Sequence, residues 1–146
     1  MFLFFLSNGL TQKLDDIENI RSVTKFGGGP EDKEGRDIVA FVRMREAVLR
    51  ALDDALTEDP TVILMGEDVA VAGGPFKTSD GLLQRHGPHR VIDTPISEMA
   101  FMGAAVGAAA CGMKPVVEIM FIEFVGVALD QLTTQAATTR YLSRGR

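Results

Sequence analysis

Pro95 lies between a short strand-like run, Arg90 to Asp93, and a run of small residues, Met99 to Gly112, and it forces the chain to change state there. Proline cannot continue a strand's ladder and Ser97 is a favoured N-cap, so the spacing predicts a strand ending at Asp93 and a helix whose first turn carries Glu98. Open α/β sheets are built from such junctions, and their ligands bind in the crevice beyond the carboxyl ends of the strands. Glu98 is thereby placed where a carboxylate can meet a ligand. A first-turn acid also complements the helix dipole, and from position alone that is the stronger of the two readings.

The rest of the pattern agrees with an α/β chain. Met44, Ala47, Val48, Ala51, Leu52, Ala55 and Leu56 recur at helical spacing, and that helix should stop before Asp59-Pro60. Thr61 to Met65 is an unbroken apolar run, as in a strand covered on both faces of a parallel sheet. Gly66-Glu67-Asp68 follows it, so Glu67 either reaches the same crevice as Glu98 or is a solvated loop acid; spacing does not choose between them. Val69 to Pro75 reads as loop and Thr78 to Arg85 as a short helix stopped by Gly87-Pro88, with His86 and His89 at a solvated helix end. Gly112 caps the small-residue helix, Val116 to Met120 is a second buried strand behind Pro115, and a last helix runs from about Phe124 to Tyr141, with Phe124, Ala128, Leu132 and Ala136 four apart. This order predicts a parallel sheet with helices on both faces.

Residues 1 to 41 have a different character. Gly27-Gly28-Gly29-Pro30 and the mixed-charge run Glu31 to Asp37 are linker composition, and no Lys-Ser or Lys-Thr pair follows the glycines to make a phosphate cradle. The expected organisation is a poorly ordered extension or linker over 1–41 and one domain over 42–146. The apolar run Met1 to Leu6 lacks a preceding Lys or Arg and ends early at Ser7-Asn8-Gly9, which argues against a secretion signal.

Composition narrows the function classes. In 146 residues, a net charge of -5 with singly scattered Lys and Arg gives no basic stripe for nucleic acid. Met99 to Gly112 is too short to span a membrane, although Gly103 and Gly107 have the spacing of paired membrane helices. Instead, their cost in mid-helix implies that something packs closely against them. Cys111, alone in an apolar run, reads as a small buried hydrophobe in a reducing compartment.

From Met44 to about Ser143 the chain resembles the N-terminal half of the beta subunit of thiamine-diphosphate-dependent 2-oxoacid dehydrogenases. The resemblance rests on Met65-Gly66-Glu67-Asp68-Val69, Gly73-Gly74-Pro75-Phe76-Lys77 with Gly81-Leu82, and Arg90 through Glu98. It continues through Gly103 to Ala109, Gly112 to Glu118, Asp130-Gln131 and Arg140-Tyr141. Glu118-Ile119-Met120-Phe121 with Asp130-Gln131-Leu132 is most similar to the pyruvate and acetoin types.

The resemblance implies a transketolase-like pyrimidine-binding domain and an enzyme that decarboxylates pyruvate or a related 2-oxoacid, or cleaves acetoin. It implies that Glu98 bonds a ring nitrogen of the cofactor's aminopyrimidine and so activates the thiazolium carbon. That task needs a close, poorly solvated carboxyl, because burial favours its protonated form. By the same resemblance Phe124 stacks on the aminopyrimidine and Glu67 is a cofactor-proximal acid that assists proton traffic. Magnesium and the diphosphate are then held by a separate alpha subunit. The implied assembly has two alpha and two beta subunits on a dihydrolipoyl acyltransferase core, in the bacterial cytoplasm or, alternatively, the mitochondrial matrix.

Members of that family continue for roughly another domain's length, whereas this chain ends at Ser143-Arg144-Gly145-Arg146, so it reads as truncated, with an unpaired sheet edge and an exposed apolar helix face. The alternative function is therefore a catalytically inactive remnant or subunit-interaction module. A transketolase-type enzyme is a further alternative, but those carry both cofactor domains on one chain.

Overall fold

The computed structural model describes residues 2–5 and 43–144. Its centre is a four-stranded sheet in the order β1-β4-β2-β3, with β1 at Phe2–Phe5, β2 at Val62–Gly66, β3 at Val91–Asp93 and β4 at Lys114–Ile119. Strands β4, β2 and β3 are mutually parallel, as the apolar runs predict. Strand β1 adds to the β4 edge antiparallel, Phe2 opposite Ile119 and Phe5 opposite Val116. The sequence pattern suggested no element there, because six consecutive apolar residues have no alternation from which to read a strand face. Residues 6–42, on which most of the linker expectation falls, lie outside the described residues.

Helix α1 (Met44–Glu58) ends one residue before Asp59-Pro60, as expected. It packs with α2 (Leu82–His86) on one face of the sheet, where Leu52, Leu56, Leu82, Val62, Leu64, Val91 and Val116 form one core. Helix α3 (Glu98–Ala110) covers the other face, where Phe101, Met102 and Ala105 meet Ile63, Met65, Val117 and Ile119. Alternate residues of β2 thus feed opposite cores, which explains why its sequence is continuously apolar. Burying one such Leu, Val or Phe contributes about 1.5–3 kcal/mol.

Several expectations need correcting. The helix expected over Thr78 to Arg85 is confined to Leu82–His86, because Thr78 and Ser79 spend their hydroxyls on hydrogen bonds to other segments. His86 is not solvated: its ring meets Asp53 at 2.7 Å, and Arg85 pairs with the same carboxylate. Strand β4 begins before Pro115 rather than after it. Lys114 N–H donates to Thr61 O, so the next backbone nitrogen faces away from β2, just beyond the last residue paired with β1, and proline forfeits no ladder bond. Cys111 is exposed, since it is the C-cap of α3 and turns outward with Gly112, whose φ is +91°.

Close packing accounts for Gly103, where a Cβ would come within 3.0 Å of Gln131 Oε1, but a Cβ on Gly107 would meet nothing within 4 Å. The last helical region is not one α-helix. A 3-10 turn (Ile122–Phe124) leads into α4 (Val125–Asp130), a π segment (Gln131–Ala136) and α5 (Ala137–Leu142). Phe121, Ile122, Val127, Leu129, Tyr141 and Leu142 are exposed apolar residues in this region. Among the described residues, no helix is long and apolar enough to cross a membrane.

Candidate functional site

The three parallel strands end together at one edge of the sheet. Gly66 pairs with Asp93 on one side and Glu118 on the other, so the residues just beyond these positions share the crevice outside the strands' carboxyl ends. Thr94 N–H donates to Gly66 O at 2.9 Å and extends the β2–β3 ladder one step, after which Pro95 ends it. Ser97 is the N-cap by position, but its hydroxyl makes no capping bond; only its carbonyl is engaged, by the N–H groups of Ala100 and Phe101. Glu98 opens α3 and is 7% exposed.

Glu67 leaves β2 toward Glu98. Burial pushes the Glu67 carboxyl above its usual pKa, and the neighbouring Glu98 and Asp68 carboxyls push it further in the same direction. Glu67 therefore keeps its proton to a higher pH than a solvated glutamate. Its Oε1 is fully buried and has no hydrogen-bond partner, and neither has the buried Oγ1 of Thr94. A carboxyl that retains its proton and has one unpartnered buried oxygen, set beside a second carboxyl, is suited to receive a donor from a bound group. Glu67 is half-buried and stands beside Glu98 at the strand ends.

The loop that carries Glu67 is tied down from several sides. Asp93, at the end of β3, accepts the N–H groups of Ala70 at 2.7 Å and Val71 at 3.1 Å. Ser79 Oγ donates to Val69 O at 2.7 Å, and Gly74 N–H donates to Asp68 O at 2.8 Å. Gly73 has φ +71°, and a Cβ there would fall 2.6 Å from Asp80 Oδ1, so the turn requires glycine on both counts. Gly66 has to be glycine for a different reason: a Cβ would lie 2.7 Å from Glu118 O.

Phe124 follows β4 at the same edge, at the end of the 3-10 turn. It is 41% exposed, so it is not a core residue, and its ring meets Phe121 edge-on with centroids 6.2 Å apart. A flat apolar surface is thus available beside the strand ends.

Residues 41–144 match the transketolase pyrimidine-binding domain family. The chain belongs to that family. This pyrimidine-binding domain is 46% identical over 110 residues to the beta subunit of acetoin:2,6-dichlorophenolindophenol oxidoreductase from Cupriavidus necator, a match covering 68% of this chain and 32% of that protein. It is 48% identical over 103 residues to the mitochondrial pyruvate dehydrogenase E1 component subunit beta-2 of Oryza sativa subsp. japonica, covering 70% and 27%. With the mitochondrial pyruvate dehydrogenase E1 component subunit beta of Bos taurus it shares 47% identity over 104 residues, covering 71% and 29%. The matched region spans about a third or less of the length of these relatives.

Within the pyrimidine-binding domain the structure brings Glu67 and Glu98 together. The sequence reading did not single out Asp93, Thr78, Ser79 or Glu118 as site-building residues. Asp93 could have been suspected, since an acid that ends a strand opposite an acidic loop is well placed to take that loop's N–H groups. Glu118 gave no such signal, because an acid near the end of an apolar strand ordinarily reads as a solvent-facing residue.

Proposed function

We propose that this domain supplies the aminopyrimidine side of a thiamine diphosphate site, as part of the beta subunit of the decarboxylating component of a 2-oxoacid dehydrogenase of the pyruvate or acetoin type. The observation that carries the reading is the Glu67–Glu98 carboxyl pair in the crevice at the parallel strand ends, with Glu98 buried and Glu67 raised in pKa. The residues present fit the cofactor's chemistry. An aminopyrimidine offers ring nitrogens that accept or share a proton and an amine that donates, and here a buried carboxyl stands beside a second one whose Oε1 is unpartnered.

When bound, the cofactor supplies the carbon nucleophile for the 2-oxoacid carbonyl and the electron sink for loss of carbon dioxide. This chain's residues would do the remainder. Glu98 would be the catalytic residue: its buried carboxyl would hydrogen-bond the pyrimidine edge, where exclusion of water strengthens the bond. Glu67 presents a second exchangeable proton to the same place, and Phe124 offers its ring as a stacking surface. The loop over 66–81 would fix Glu67 through its bonds to Asp93 and Glu118 and the internal bond from Ser79 to Val69.

In this reading a separate alpha subunit holds the diphosphate and magnesium. A second beta subunit and a dihydrolipoyl acyltransferase core complete the assembly, in the bacterial cytoplasm or the mitochondrial matrix. Residues 42–146 are then a partial pyrimidine-binding domain and 1–41 an extension. With an alpha partner, Glu98→Gln should abolish decarboxylation of pyruvate while leaving assembly intact by gel filtration. Turnover close to that of the unmodified protein would overturn the assignment.

The several exposed apolar side chains between Phe121 and Leu142 favour a second reading, a subunit-interaction module without turnover. Calorimetric titration of the chain with thiamine diphosphate and magnesium, with and without the alpha subunit, separates the two, because the module binds neither way.

A further inference from the structure

Glu118 is a carboxylic acid 1% exposed in the layer between the sheet and the α1/α2 face. Among the described residues, it accepts a hydrogen bond at Oε2 from Thr78 Oγ1 at 3.1 Å, and its Oε1 is buried without a hydrogen-bond partner. A half-satisfied buried carboxyl is costly, and a leucine of similar size would avoid the cost, so stability alone does not explain a glutamate here. What Glu118 does is grip the far end of the loop that begins beside it. Its residue pairs with Gly66 across β4–β2, and the loop leaves Gly66 through Glu67 and returns to Glu118 at Thr78. The neighbouring Ser79 then donates to Val69 O, two residues beyond Glu67. The loop is closed into a ring over the strand ends, with Asp93 holding its outer half.

We propose that Glu118 is a positioning residue that, through Thr78 and Ser79, holds Glu67 against Glu98. The inference deepens the reading above, on which its functional weight rests, but its test reads the carboxyl pair itself and needs no cofactor. The groups acting on Glu67 are Glu98 from α3 and Asp68 from its own loop, while the Asp93 carboxylate at the end of β3 is engaged by Ala70 and Val71. Releasing the loop moves Glu67 away from Glu98 and into water. Both changes lower its pKa.

The experiment is a carboxyl-carbon NMR titration of Glu67 in the full chain, in Thr78→Val, Thr78→Ser and Glu118→Leu. Valine matches threonine in shape but lacks the hydroxyl, and serine keeps it. In Thr78→Val and Glu118→Leu the Glu67 midpoint should fall toward that of a solvated glutamate, and in Thr78→Ser it should stay at its original value. Glu118→Leu also removes the buried acid, so it keeps the test available should loss of the hydroxyl alone prevent folding. A Glu67 midpoint unchanged in either folded variant would overturn the proposal, since a purely structural hydrogen bond would lower stability without moving that midpoint. Failure of Glu98→Gln to affect turnover, with the midpoint shifts intact, would remove the proposed function and leave this inference standing.

Discussion

The Glu67 carboxyl lies against that of Glu98, thirty-one positions later in the chain, and rises in pKa because of burial and of that neighbour. A group with a raised acid pKa binds more protons when folded than when unfolded, so its folded state loses stability as pH rises through the window above the ordinary value of 4.5. Burial raises Glu118 in the same direction. Asp59 acts oppositely: its hydrogen bonds from Lys114 and Thr61 hold it below the usual range, a contribution present above 3.8 and lost in acid. Urea unfolding between about pH 3 and about pH 8 should therefore show greatest stability in mildly acidic solution, and Glu67→Gln should flatten the decline toward neutral pH. An unchanged slope in that variant would sink this account.

Asp93 accepts two backbone N–H groups from one loop, so Asp93→Ala leaves Ala70 and Val71 without their acceptors. Hydrogen bonds to charged groups contribute about 1.5–3 kcal/mol, and Ala70 is buried, so a loss of about 2 kcal/mol is expected by denaturant titration. Amide exchange at Ala70 and Val71 should speed up more than in α1.

Arg90 spans three carbonyls, those of Leu56 at 2.9 Å, Asp59 at 2.7 Å and Val62 at 2.5 Å. It thereby joins the end of α1 to the start of β2, taking up acceptors that the helix leaves open. Arg90→Met keeps the apolar stem and should cost about 2–4 kcal/mol in thermal or chemical unfolding; Arg90→Lys recovers part of that, because one ammonium cannot reproduce the guanidinium's fork.

The two α3 glycines should behave differently. Gly107→Ala adds a methyl to open space and should stabilise the isolated chain by about 0.5–1 kcal/mol through helix propensity. In Gly103→Ala the same gain is offset, because the methyl must displace Gln131 Oε1 from 3.0 Å. Melting curves that rank the two variants the other way would contradict the packing described for α3.

Much of this was legible from local chemistry. Asp59-Pro60 marks the end of α1, Pro95 and Ser97 mark the β3–α3 junction, and the unbroken run before Gly66 marks a strand covered on both faces. The position of Glu98 follows from those signals alone. The Glu67–Glu98 contact does not, because it depends on which strands become neighbours, and strand order is not written in hydrophobic periodicity. Glu118 was illegible for a related reason: whether the α1/α2 side of β4 meets water or a loop depends on where Thr78 folds. Cys111 misled because a helix cap can turn an apolar stretch outward in its last residue, and Gly107 because propensity cost alone does not name a neighbour.

The π segment at Gln131–Ala136 has a geometric consequence for the stripe that surrounds it. Residues four apart drift about 40° around an α-helix with each step, so Phe124, Ala128, Leu132 and Ala136 would wind off any single line. A stretch with i to i+5 bonds unwinds the backbone and takes back part of that rotation. Leu132 and Ala136 accordingly stay less exposed than Thr133, Thr134 and Gln135 beside them. Deleting one residue between 131 and 136 should therefore restore tight winding yet leave Arg140 and Tyr141 close to their present heading, because the five residues left turn about as far at about 100° each as the six do in the wider coil.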